Sequence, residues 1–229
     1  MVQNISHAVM AQRQKTIDDL DNFPTPPWAT RSLFKYVIYK FKSYEQSCLE
    51  PACNVGHMSK VLKENFKTVF SSDIFDYGYG DVSDFLYLNK NDIRYDWVIT
   101  NPPFKKAKEF IEKSLAISDI GVAILARTTF LESINRYEAI FSQNPPTYFA
   151  QFVERVPMVK GRLDKKASTA TGYAWFVWIK NSNESCNLMW IPPCRKILEK
   201  DTDYNNPLYK SEELEKKHDN QALLPLGDL

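Results

Sequence analysis

Asn101-Pro102-Pro103-Phe104 follows the apolar run Trp97-Val98-Ile99-Thr100 and sets a side-chain amide, two residues without backbone donors and an aromatic ring side by side. Proline lacks a backbone N–H and holds φ at about −65°, so the carbonyls of Asn101 and Pro102 are free to point outward rather than pair locally. An amide oxygen and a carbonyl can both accept hydrogen bonds from one NH2, and Phe104 offers a face for a planar ring. Such a cradle suits a flat, amino-bearing group. Four residues alone are equally well a proline turn with a buried Phe, so the surroundings must decide.

The elements that would position this cradle alternate. Residues 28–41 carry Leu33, Tyr36, Val37 and Tyr39 at helical spacing behind Pro26 and Pro27, where prolines are tolerated. A strand over 47–52, a short helix over 57–66 and a β-rich run over 68–74 follow. The strand ending at Thr100 leads into a helix over 105–117, with Phe110, Ile111, Leu115 and Ile117 on one side and lysines on the other. Residues 121–126 are continuously apolar, the mark of a strand buried on both faces. Strands separated by helices imply right-handed crossovers and a parallel, doubly covered sheet. Residues 148–156 and 173–180 have only a polar loop between them, so an antiparallel pair is expected at one edge of the sheet.

In such a sheet the carboxyl ends of the parallel strands carry the site. Glu50-Pro51-Ala52-Cys53-Asn54-Val55-Gly56 would be one wall: Asn54 and Gly56 tolerate left-handed φ and let backbone approach a ligand, and Glu50 suits a cationic group. No Lys-Ser/Thr pair follows, which argues against a phosphate loop. Asp73 ends the next strand, where an acid can accept from ribose hydroxyls, although a turn former is the commoner role. Asp84-Phe85 pairs an acceptor with an aromatic face, as an adenine would need.

Composition excludes several classes. The 229 residues are 44% hydrophobic and 14% aromatic, enough for one sizeable domain. No apolar stretch approaches the ~18 residues of a membrane span, and residues 1–20 lack the apolar core of a secretion signal, so a cytoplasmic protein is expected. The four cysteines and three histidines are scattered, which suggests neither a disulfide framework nor a metal site. The net charge of +1 means that binding to a polyanion must come from a local patch. Lys160, Arg162, Lys165 and Lys166, with Arg155 before them and one offsetting Asp164, form the best candidate, against the simpler reading of a solvated loop.

Taken in order, these segments resemble the S-adenosylmethionine-dependent amino-group (N6-adenine) DNA methyltransferases, and the stretches 21–33 and 170–176 resemble small phage- or prophage-type members. Asn22-Phe23-Pro24-Thr25-Pro26-Pro27 is similar to the family's cofactor-carboxylate segment, with Phe23, Thr25 and Pro26 as contacts. Glu50 to Gly56 resembles its glycine loop, with Asn54 in place of the usual first glycine. Asp73-Ile74 matches the ribose acid, Asp84-Phe85 the adenine pair and Asn101-Pro102-Pro103-Phe104 the catalytic tetrapeptide.

The resemblance implies a Rossmann-like α/β fold: a mostly parallel seven-stranded sheet with an antiparallel edge strand and helices on both faces. It implies a methyltransferase domain over 22–180, between an N-terminal extension (1–21) and a partly mobile C-terminal one (181–229). It also implies S-adenosylmethionine as cofactor, DNA as partner with the target base flipped or single-stranded, and direct in-line methyl transfer. Cytosine-C5 chemistry would need a nucleophilic cysteine, and neither Cys53 nor Cys194 is placed for it. RNA adenine methylation, glutamine methylation and a non-catalytic adaptor of a methylating complex, with a partner supplying specificity, remain the alternatives.

Overall fold

The computed structural model describes residues 21–41, 44–89, 93–184 and 186–205. The expected N-terminal extension and the last 24 residues, 206–229, lie outside these apart from Asp21.

Eight strands form one sheet: β1 (Ser47–Glu50), β2 (Thr68–Asp73), β3 (Asp81–Val82), β4 (Tyr95–Thr100), β5 (Ser118–Arg127), β6 (Tyr148–Phe152), β7 (Tyr173–Ile179) and β8 (Asn187–Ile191), in the order β3-β2-β1-β4-β5-β7-β6-β8. The pairs β1–β2, β1–β4, β2–β3, β4–β5 and β6–β8 are parallel, and β7 is antiparallel to both β5 and β6.

Two expectations are corrected. The sheet has eight strands rather than seven, and its antiparallel strand is internal rather than at the edge. The reason lies in side-chain burial: Tyr173 to Trp178 are buried on both faces, which suits a strand flanked on both sides, whereas β8, at the edge beyond β6, leaves Asn187, Leu188 and Trp190 exposed. β8 also brings residues 187–191 into the sheet from the segment expected to be an extension. It was hidden by its polar neighbours and by having only two inward positions, Met189 and Ile191, beside exposed Leu188 and Trp190.

Alternation within the strands builds the two cores. Trp97, Ile99, Ala123, Leu125, Trp175 and Val177 face Trp28, Leu33, Met58 and Leu62 from helices α1 (Pro27–Ser32, continued by a π turn over Leu33–Val37) and α2 (His57–Leu62). On the opposite face Val98 packs with Phe110 and Ile117, and Val122, Ile124 and Phe176 with Ala107 and Ile111, all four helical residues belonging to α3 (Ala107–Ile117). Trp97 and Gly121 pair across β4 and β5, and the absent Gly121 side chain is what admits the Trp97 ring. After β8, residues 195–204 fold back onto α1, where Arg31 donates to the Leu198 carbonyl and pairs with Asp203 and Glu64.

Adding one carbon at Gly121 would bring it within 2.5 Å of the Trp97 ring, which is fully buried and has nowhere to move. Gly121→Ala is therefore expected to lower stability by about 1 to 3 kcal/mol through overpacking. An unchanged urea unfolding midpoint would show that β4 and β5 adjust freely.

Candidate active site

Because β1, β2, β4 and β5 run parallel, their carboxyl ends share one edge of the sheet, and there a cavity of about 290 Å³ opens, close to the lower limit for small-molecule sites. Phe23, Thr25, Glu50, Pro51, Ala52 and Asn54 line it. Asp73, Ile74, Asp84, Phe85, Asn101 and Pro103 also line it. Pro26, Gly56, Pro102 and Phe104 stand behind or beside it: Pro26 caps α1 with its carbonyl accepting from Ala29, and Gly56 makes the turn into α2.

The loop after β1 takes the backbone shape its residue types allow. Asn54 has φ of 50° and Gly56 φ of 83°, so Asn54 does occupy the left-handed region. Its side chain holds it there, with Oδ1 accepting from the Val55 N–H and Nδ2 donating to Asn22 Oδ1 at 2.8 Å. At Gly56 a side-chain carbon would lie 2.5 Å from the Tyr79 ring.

Asp73 is anchored without being used up. Its Oδ2 accepts from the Asn54 N–H at 2.9 Å and its Oδ1 from the Phe75 N–H at 3.2 Å, leaving lone pairs on each oxygen. Burial raises its pKa above the ordinary value and the backbone donors partly offset this. Glu50 lies deeper. Only 2% of it is exposed, Ser59 donates to its carboxyl, and burial pushes its pKa to about 8. A cationic ligand beside it would recover the ionised form. Asp84 spends Oδ1 on capping a short turn through the Leu86 N–H, and Phe85 is buried against Phe110 with centroids 4.9 Å apart. Burial raises the Cys53 thiol far above its usual range and the Cys194 thiol to about 11, so neither is a ready nucleophile.

The cradle turns on the orientation of one amide. Asn101 Nδ2 donates to the Phe23 carbonyl at 3.0 Å and to Thr25 Oγ1 at 3.1 Å. A carbonyl cannot donate, so the atom facing Phe23 must be the nitrogen, and Oδ1 must point the other way. That oxygen is buried and has no partner. The Pro102 carbonyl accepts no hydrogen bond among the described residues either, whereas that of Pro103 is taken by the Lys106 N–H. Buried acceptors are normally satisfied, so Oδ1 marks a place for a donor.

Phe104 packs against Phe23 with centroids 5.2 Å apart, and the Arg127 guanidinium lies 4.1 Å from its ring centre. Arg127, Tyr77 and Met158, which approaches Asn101 with its sulfur, were not singled out from sequence. For Arg127 a signal existed: it is the charge that ends an apolar strand beside the cradle. The expected basic patch is partly neutralised, since Arg162 pairs with Asp164 and Lys165 with Asp201. Arg155 and Lys166 are exposed, and none of the five patch residues lines the cavity. No group of acidic, histidine or cysteine side chains suited to a metal occurs among the described residues, and no helix there is long and apolar enough to cross a membrane.

No protein-family model matches the sequence, and no curated protein matches it. Solved structures do. A modification subunit of a putative type I restriction enzyme from Vibrio vulnificus superposes with a TM-score of 0.56 at 12% identity, over 92% of this chain and 54% of that one. The methyltransferase subunit of a type I restriction-modification system from Streptococcus thermophilus gives 0.56 at 11%, over 85% and 52%. A putative RNA methyltransferase from Pyrococcus horikoshii gives 0.54 at 17%, over 73% and 90%. The chain thus spans about half the length of the two restriction-modification subunits. Its fold is the Rossmann-like one of these methyltransferases.

The folded chain keeps the Glu50 proton up to about pH 8, while the unfolded chain loses it near 4.5. Between those values the native state binds more protons than the unfolded one, so stability falls as pH rises, by at most about 1.4 kcal/mol per unit, and levels off above 8. Glu50→Gln is expected to flatten this slope. Parallel stability profiles for parent and variant across pH 5 to 8 would contradict the assignment.

Proposed function

We propose that this chain transfers the methyl group of S-adenosylmethionine to the N6 amino group of adenine in DNA. The observation that carries the reading is the buried, partnerless Asn101 Oδ1 beside the free Pro102 carbonyl. The likeness to DNA and RNA methyltransferase structures supports methyl transfer in general.

The cavity residues fit this cofactor. Asp73 has lone pairs free for ribose hydroxyls, Glu50 can be charged by a cationic amino group, and the left-handed Asn54–Gly56 turn lets backbone come close. Phe23 and Thr25 border the same space, and Ile74, Tyr77 and Leu86 give apolar walls. Bound there, S-adenosylmethionine would supply an electrophilic methyl on a sulfonium.

The chain's own residues handle the amine. An adenine amino group is a weak nucleophile because its lone pair is delocalised into the ring. Asn101 Oδ1 and the Pro102 carbonyl would each accept one of its N–H bonds, favour a pyramidal nitrogen and stabilise the positive charge that appears as nitrogen attacks. Both acceptors are fixed beforehand, Oδ1 by the bonds that Nδ2 makes to Phe23 and Thr25. No base is needed before attack, and the proton leaves afterwards from an acidic ammonium. Phe104 offers the stacking surface for a base that has left the duplex.

The reading is tested by incubating the protein with labelled S-adenosylmethionine and, separately, DNA, RNA and a glutamine-containing peptide, then identifying the product. N6-methyladenine in DNA is expected. Label only in RNA adenine or in the peptide amide would replace the substrate and keep the cradle.

Asn101→Ala removes an acceptor aimed at charge present only during transfer, so turnover at saturation is expected to fall about 10² to 10³-fold with a much smaller loss of binding. An unaltered rate would reduce the tetrapeptide to a turn. Asp73→Ala is expected to weaken cofactor binding by about 1 to 3 kcal/mol through lost ribose hydrogen bonds. Calorimetry giving the parental affinity in a folded variant would remove Asp73 from the site.

A further inference from the structure

The arginines differ in what holds them. Arg31, Arg94, Arg162 and Arg195 each pair with a carboxylate. Arg136 spends its guanidinium on the carbonyls of Thr129, Phe130 and Glu132. Arg127 and Arg155 pair with no carboxylate among the described residues, and both are exposed. Both also reach the same turn. Arg127 pairs with Tyr173 across β5 and β7 and bonds its hydroxyl. A side-chain carbon on Gly172, the preceding residue, would lie 3.0 Å from an Arg155 guanidinium nitrogen. The Gly172 carbonyl accepts from Thr128, the residue after Arg127. Two guanidiniums without a carboxylate partner among the described residues therefore flank residues 172–173, one of them lying on the Phe104 ring.

One of them occupies the stacking surface. At 4.1 Å from the Phe104 centroid the Arg127 guanidinium is in van der Waals contact with the ring, and no base fits between the two. A base stacking on that face must displace it, and a freed guanidinium seeks an anion with which it can bond through two donors.

We propose that Arg127 holds the place of the extruded base on Phe104 in the free protein and, when the base arrives, moves with Arg155 onto a phosphodiester of the extruded nucleotide. The inference rests on the nucleic-acid reading of the site and names its backbone contact. It couples base capture to backbone capture: a base without its phosphate displaces Arg127 with nothing gained, whereas a nucleotide within a strand offers the guanidinium a new partner. The site thereby favours polynucleotide over free base.

The test uses two probes: 2-aminopurine nucleoside, which has no phosphate, and a short single-stranded oligonucleotide containing 2-aminopurine, both followed by fluorescence quenching. Removing Arg127 should have opposite effects. Arg127→Ala is expected to bind the nucleoside about 2- to 5-fold more tightly, because a cation–π contact no longer competes. It should bind the oligonucleotide more weakly at low salt, with the slope of log affinity against log salt shallower by about 0.7. Arg155→Ala should show the shallower slope with unchanged nucleoside affinity, and Arg127→Lys should restore the slope. The proposal is overturned if Arg127→Ala weakens both probes in parallel, which would make Arg127 a mere support for Phe104, or if both alanine variants keep the parental slope. Methylation by the parent is scored separately. An active parent with unchanged slopes sinks only the arginine grip, and altered slopes with no methyl transfer to any nucleic acid sink only the enzymatic reading.

Discussion

The hydrogen bond from Asn101 Nδ2 to the Phe23 carbonyl fixes which end of one amide faces the cavity, and the site's chemistry depends on that choice. An asparagine left free would turn its amide to suit any neighbour. Here a main-chain carbonyl and the Thr25 hydroxyl both claim the nitrogen, so the oxygen is left pointing into the site with no partner. The segment before α1 must therefore sit rigidly against the end of β4. Its prolines at 24, 26 and 27 restrict its backbone, Asn22 bonds the Asn54 side chain, and the Asn22 carbonyl takes the Gly161 N–H. Three chain segments distant in sequence converge to orient one side chain.

The cost of that arrangement is local. A buried acceptor without a donor and a buried carboxyl that stays protonated near neutrality are both destabilising features. They persist because the sheet supplies stability elsewhere: β5 and β7 are buried on both faces, and Trp28, Trp97 and Trp175 are fully enclosed. Both features lie at the carboxyl edge of the sheet, where a ligand would relieve them. The exposed guanidinium on Phe104 follows the same logic, since it covers an aromatic face that would otherwise lie open to water.

Much of this was legible in the sequence because the informative signals are local. Prolines, the Asn54-to-Gly56 turn and apolar runs of strand length depend on neighbours within a few residues, and they located the loop after β1, Asp73 and the cradle at strand ends. Long-range relations were not legible. That β7 inserts between β5 and β6 depends on which strand can be buried on both faces, and that β8 joins the sheet depends on a free edge existing beside β6. The Arg127 stack on Phe104 joins residues 23 apart by number and could be suspected only from its place at a strand end. The basic loop shows the opposite failure: its charges and the offsetting Asp164 were visible, but not that Asp201, 36 residues on, answers Lys165.

What fills the space at Asn101 Oδ1 decides the chemistry of the site. A crystal structure of the protein with a non-reactive analogue of S-adenosylmethionine and an adenine-containing oligonucleotide would answer this directly. An extruded adenine is expected on Phe104, with its amino nitrogen about 3 Å from both Asn101 Oδ1 and the Pro102 carbonyl. An adenine amino group bound elsewhere, or an Asn101 oxygen still without a donor in the ternary complex, would contradict it.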